Sequence, residues 1–158
     1  MIVRDQYQAL SVAVEMEARA IRTYERALTL ATKPEVQEGI RAILREEREH
    51  YRCFSEMRGS ITADMAAEDK LLTGAMAGET LFPGGAMELA RAKGLTSMRG
   101  LFEFAAESEQ DAVEKYKSFA DQCANAEIAE AFLDIAREEA THLQNLRRVL
   151  ARLPEENA

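Results

Sequence analysis

The feature that most constrains this chain is a Glu-x-x-His pair, Glu47 and His50, that interrupts an apolar helical stripe and returns later as Glu139 and His142. Both members recur at one offset, 139 − 47 = 92 and 142 − 50 = 92. Two more acids obey it, Glu17 and Glu109 (109 − 17 = 92), and a tyrosine follows each in the same register, Tyr24 and Tyr116. The chain has only 2 histidines, and the pattern uses both. Four acids inside apolar stripes are a strong restriction, because desolvation and mutual repulsion oppose burying carboxylates together.

The stripes themselves predict four helices. Val3, Tyr7, Leu10, Val14, Ile21, Tyr24, Leu28 and Ala31 recur with helical period from Asp5 to about Ala31, and Glu17 is the one charged position among them. This helix should stop at Thr32-Lys33, since the residue before Pro34 is pushed out of helical geometry. Pro34 then suits the first turn of a second helix, where its missing N–H is not needed. That helix is expected over Pro34–Arg58 with Gly59 as its C-terminal cap. Its stripe reads Val36, Ile40, Ile43, Glu47, His50, Phe54 and Met57, so Glu46 and Glu49 fall outside it and should face solvent.

Thr96 or Ser97 can cap a third helix, whose stripe is Phe102, Ala106, Glu109, Val113, Tyr116, Ala120 and Cys123. Asn125 can cap a fourth, running to Leu153 before Pro154, with Ile128, Phe132, Ile135, Glu139, His142, Leu146, Val149 and Leu153 on its stripe. The helices within each pair are separated by a few residues and must be antiparallel neighbours. Between the pairs, Gly59 to Thr96 holds most of the glycines, Pro83, and Met65, Met76 and Met87. Ala63–Ala77 and Ala86–Lys93 could form short helices there, the second closed by Gly94. The stretch reads as a crossover, and its methionines as adaptable packing. The expected architecture is therefore all-α: one domain over 1–158, an antiparallel four-helix bundle built from two duplicated helical hairpins (5–58 and 97–153) joined by a long crossover (59–96).

Residues three apart on a helix share a face, so each Glu-x-x-His pair presents two ligands to one region. Two divalent cations would balance four carboxylates, and oxygen-rich ligation with imidazole suits iron or manganese, with zinc also able to occupy it. The candidate metal ligands are Glu17, Glu47, His50, Glu109, Glu139 and His142. Tyr24 and Tyr116 read either as core tyrosines or as partners of the ligand carboxylates.

Composition narrows the partners. A formal net charge of −8 argues against nucleic acid or an anionic membrane. No apolar run approaches the ~20 residues that span a bilayer, and the N-terminus lacks a signal-peptide apolar region. Cys53 and Cys123 form no C-x-x-C, and free thiols fit a reducing compartment, so the expected location is cytoplasmic.

With its Glu, Glu-x-x-His, Glu, Glu-x-x-His set and paired tyrosines, the chain resembles the rubrerythrin-like branch of the ferritin-like di-iron carboxylate superfamily, across all four helices. The resemblance implies terminal ligands at Glu17 and Glu109, bridging carboxylates at Glu47 and Glu139, and one metal held by each of His50 and His142. It gives Tyr24 and Tyr116 hydrogen bonds to ligand carboxylates, and it implies a homodimer. Two features depart from the family. Ala106 stands where rubrerythrins carry an additional ligand glutamate, and the cysteine pairs of an iron–sulfur rubredoxin domain are absent. Two functions follow as expectations. One is a di-iron oxidoreductase of ferroxidase or peroxidase type, which reduces peroxide or dioxygen with electrons from a separate donor protein. The other is a non-catalytic iron, manganese or zinc binding protein for storage, delivery or sensing.

Overall fold

The computed structural model describes residues 5–61 and 97–153. The expected short helices over 63–77 and 86–93, the crossover methionines Met65, Met76 and Met87, and the positions Val3 and Pro154 lie outside the described residues. Four helices account for nearly all that is described: α1 (Gln6–Leu30), α2 (Pro34–Gly59), α3 (Met98–Gln122) and α4 (Ala126–Arg152). No strand occurs among the described residues.

Each helix begins and ends for a local reason. Asp5 accepts a hydrogen bond from the Gln8 N–H at 2.9 Å, Ser97 from Gly100 at 3.0 Å, and Asn125 from Ile128 at 3.1 Å, so three of the four N-termini carry side-chain caps. α2 has no such cap and begins on Pro34 instead. α1 stops where Ala31 turns extended, and its free carbonyl accepts from Gln37 Nε2 at 2.8 Å. Gly59, expected as a cap, is the last helical residue of α2. The turn closes one residue later at Ser60, whose φ of −80° needs no glycine and whose hydroxyl donates to the Met57 carbonyl.

Polar ties between chain ends set the relative directions. Arg99 at the start of α3 donates to the Leu150 and Leu153 carbonyls at the end of α4, at 3.3 and 2.7 Å. The Asn125 N–H at the start of α4 donates to Gln6 Oε1 at the start of α1. α1 packs on α2 and α3, and α3 on α4, while α2 and α4 approach each other less closely than these pairs do. The result is a ferritin-like antiparallel bundle of two hairpins.

Two apolar clusters fill the interior. One collects Leu10, Phe54, Tyr116, Phe119, Phe132 and Ile135; the other collects Tyr24, Ile40, Leu44, Leu101, Phe102 and Leu146. On α2 the buried line passes through Leu44 where the stripe was read through Ile43, which is half-buried. From Tyr7 to Val14 every residue of α1 is buried, Gln8 and Ser11 included, so this half is enclosed more fully than a single stripe requires. Between the two clusters lies a polar layer.

Candidate metal centre

Glu17 comes from α1, Glu47 and His50 from α2, Glu109 from α3, and Glu139 and His142 from α4; all six are at most 3% exposed. Their ligand atoms form two overlapping groups. Glu17, Glu47, His50 and Glu139 make one, and Glu47, Glu109, Glu139 and His142 the other, with the chosen atoms of each group within 4.8 Å of one another. Glu47 and Glu139 belong to both.

The overlap has an atomic basis. Glu139 spans the two imidazoles, accepting from His50 Nδ1 at Oε1 and from His142 Nδ1 at Oε2, both at 3.0 Å. Glu47 spans them from the other side, with Oε1 2.8 Å from His142 Nδ1 and Oε2 3.6 Å from His50 Nδ1. Glu17 Oε2 lies 3.8 Å from His50 Nδ1 and Glu109 Oε1 lies 3.6 Å from His142 Nδ1. The rings are stacked, with centroids 6.0 Å apart. Every inward-facing imidazole nitrogen is thus Nδ1.

The tyrosines tie α1 to α3. Tyr24 donates to Glu109 Oε1 at 2.5 Å, and Tyr116 donates to Glu17 Oε1 at 2.7 Å. Glu17 faces Tyr116 while Tyr24, further along α1, faces Glu109, further back on α3; only antiparallel helices allow both. Of the two readings left open for these residues, partnership with the carboxylates is the one realised. Burial, and then the nearby carboxylates, raise both phenol pKa values well above their usual value, so the hydroxyls keep their protons and act as donors.

Protons balance the charge of this cluster. Burial pushes Glu17 up to about 8, with Glu47 adding repulsion. Glu139 is raised well above the carboxylate range, by burial and by repulsion from Glu17 and Glu109. Glu47 and Glu109 go the other way. Burial opposes their ionisation, but the Glu17 carboxyl and both imidazoles outweigh it at Glu47, and Glu139, His142 and Tyr24 outweigh it at Glu109. Burial likewise disfavours charged imidazoles, yet surrounding carboxylates hold both histidines protonated far above their usual range. In the metal-free centre these shifts favour protonated imidazoles and protonated Glu17 and Glu139 beside ionised Glu47 and Glu109.

The donor set fits divalent cations. Glu17 Oε2 and both oxygens of Glu47 are sealed from solvent without a well-directed hydrogen bond, although His142 Nδ1 lies 2.8 Å from Glu47 Oε1. A buried carboxylate oxygen left so is costly, and a cation shared by these oxygens and an imidazole lone pair removes the cost. Six oxygen and nitrogen donors, with no thiolate among them, suit iron, manganese or zinc.

Residues 100–158 match the Rubrerythrin family. The match takes in α3 from its third residue and all of α4, hence Glu109, Tyr116, Glu139 and His142. It agrees with the rubrerythrin-like character of the motifs, and the first hairpin carries the same groups at the common offset. No curated protein and no solved structure matches the chain. At the position of the family's additional ligand glutamate, Ala106 is half-buried and packs against the second apolar cluster.

The sequence reading missed two residues. Glu46 and Glu138 are exposed, as expected of residues outside the stripes, but their carboxylates turn inward across the bundle. Glu138 Oε2 makes a short hydrogen bond with His50 Nε2, and Glu46 Oε2 makes one with His142 Nε2. The signal was available, since these acids also obey the repeat (138 − 46 = 92).

Proposed function

We propose that this chain binds two metal ions, iron foremost, and that it is an oxidoreductase reducing peroxide or dioxygen with electrons from a separate donor protein. The observation carrying this reading is the pair of overlapping donor groups that share Glu47 and Glu139. Glu17 and His50 would complete one metal position, Glu109 and His142 the other, with Glu47 and Glu139 common to both. Iron, when bound, supplies one-electron redox chemistry toward a small oxidant. The chain's own part is to exclude bulk water from the layer, to fix each carboxylate, and to hold protons at the hydroxyls of Tyr24 and Tyr116 beside Glu109 and Glu17.

Ala106 favours a second reading, in which the same centre holds iron, manganese or zinc for storage, delivery or sensing without turnover. A homodimer is part of the proposal on the rubrerythrin resemblance, and light scattering at micromolar concentration tests it. The functional test is to load the protein anaerobically with Fe(II), count the metal, and mix it in turn with peroxide and dioxygen while following absorbance. Two ions per chain and rapid oxidation by either oxidant are expected. Two ions with indifference to both would establish the binding reading instead.

No helix among the described residues is long and apolar enough to cross a membrane. Location in the cytoplasm stays a proposal, resting on the free thiols Cys53 and Cys123.

A further inference from the structure

The surface of the first hairpin carries a cleft between α1 and α2. Arg41, Arg45 and Arg48 are four and three residues apart, so they share one face of α2. They line a space of about 450 Å³, together with the half-buried Leu28 of α1 and the buried Leu44 of α2. Glu25 is the one acid in that lining, set against three arginines. Arg48 pairs with it at 3.2 Å, while Arg41 and Arg45 share a single carboxylate, Glu38, at 3.8 and 3.5 Å. Ion pairs this exposed contribute little and yield readily to another anion. A local excess of positive charge over an apolar wall is unusual in a chain of net charge −8.

The twofold repeat shows that neither the bundle nor the buried centre demands this cleft. At the common offset Arg41 is replaced by Leu133 (133 − 41 = 92), Arg48 by Ala140, and Leu28 and Leu44 by Ala120 and Ala136. Of these positions only Arg45 keeps its type, as Arg137. The four glutamates and two histidines of the centre all recur, whereas the cleft belongs to one hairpin. We propose that it binds a small organic anion, with an oxyanion head (phosphate or carboxylate) on a compact apolar body. A guanidinium presents paired donors that match two oxygens of either head group, and it sheds water more readily than an ammonium. Leu28 and Leu44 supply the wall for the apolar body. The volume is that of an ordinary small-molecule site, and such sites likewise combine apolar walls with a few convergent polar groups. The proposal is independent of the metal reading, because none of the six candidate ligands lines the cleft.

The test is titration of the whole chain, with and without Zn(II), followed by 13C-methyl NMR. The probes are phenyl phosphate, benzoate, inorganic phosphate and the uncharged benzyl alcohol. Phenyl phosphate or benzoate should shift the Leu28 and Leu44 methyls at millimolar concentration and leave those of Leu133 in place. Whichever of the two binds more tightly names the head group. Inorganic phosphate, which lacks the body, and benzyl alcohol, which lacks the charge, should bind more weakly than either. Glutamine is a good helix former, so Arg41→Gln and Arg45→Gln should fold normally. Each should weaken binding about 10-fold, as expected for loss of a charged hydrogen bond. Arg137→Gln, at the repeat mate of Arg45, should match wild type. The proposal is overturned if neither aromatic anion shifts the Leu28 and Leu44 methyls, or if benzyl alcohol binds as well as they do. It is equally overturned if Arg41→Gln and Arg45→Gln both bind like wild type, or lose no more than Arg137→Gln. Binding seen only with Zn(II) would place the anion at the metal centre and overturn it too.

Discussion

Tyr24 and Tyr116 do the same thing with their hydroxyls and sit in different company with their rings. Each donates to the carboxylate across the α1–α3 contact. The Tyr116 ring, however, lies among Phe54 at 5.2 Å, Phe132 at 5.7 Å and Phe119 at 6.4 Å. Tyr24 lies in the other cluster, where the repeat mates of those phenylalanines are Leu146, Ile40 and Ala27. The polar layer thus repeats group for group, while the apolar clusters beside it repeat in character only. Hydrogen-bonded carboxylates demand register, whereas a core accepts any set of apolar side chains that fills its volume. One end of the bundle became rich in aromatic rings and the other mostly aliphatic, Phe102 apart, without disturbing the layer between them.

That contrast breaks if the ends titrate along with the centre, and pH supplies the largest expected effect. In metal-free protein Glu17 has its pKa raised from 4.5 to about 8, so its contribution to stability is complete below pH 4.5 and is lost as pH rises through 8. Glu139 and both histidines are shifted in the same direction and lose stability the same way. Glu47 and Glu109 are lowered, so their contribution is present above pH 4.5 and disappears only below it. The metal-free melting temperature should therefore fall steadily from pH 5 to 8.5. Metal needs deprotonated donors, so the gap between loaded and metal-free protein should widen over the same range. Metal-free melts that stay flat between these pH values would show that the centre is not the source of the chain's pH dependence.

The next effect sharpens the difference between the two ends. Phe132→Ala removes a buried ring that packs on Phe54 at 5.1 Å and Phe119 at 5.5 Å. It should cost about 4 kcal/mol, against about 3 kcal/mol for Ile40→Ala at its repeat mate. Urea unfolding of both variants checks this, and equal costs would mean the aromatic end gains nothing from its rings beyond volume.

The smallest effect lies in the tyrosines. Tyr24 donates to a carboxylate held ionised, whereas Tyr116 donates to Glu17, which stays protonated at neutral pH. Hydrogen bonds to charged groups are the stronger kind, so Tyr24→Phe should cost about 2 kcal/mol and Tyr116→Phe about 1 kcal/mol at pH 7. A reversed order in metal-free unfolding would mean that the ionised and neutral carboxyls are assigned the wrong way round.

Much of this was legible in the sequence, because helical period and a fixed offset between motifs are both one-dimensional signals. Glu17, Glu47, His50, Glu109, Glu139 and His142 converge because each interrupts an apolar stripe and so must point inward. Glu46 and Glu138 escaped for the converse reason. They sit one position off the stripe, within charged runs that look like solvated surface, and their partners are on another helix. Which residue of α4 lies opposite His50 depends on how far α2 and α4 slide past each other, and that slide is a packing outcome. The end of α2 was misplaced by one residue because glycine is a common cap but a tolerated last helical residue, and Ser60 closes the turn without positive φ.

The crossed pairings have one more consequence. Glu17 with Tyr116 and Tyr24 with Glu109 read alike from either direction, as do Glu46 with His142 and His50 with Glu138. The layer is a palindrome in space, so each hairpin is its own complement. Two copies of the 97–153 segment, turned head to tail, would bring together two each of Glu109, Tyr116, Glu138, Glu139 and His142, the same inventory of groups that the whole chain assembles. Covalent linkage of the two halves then adds concentration, by keeping two parts that already match within reach of each other.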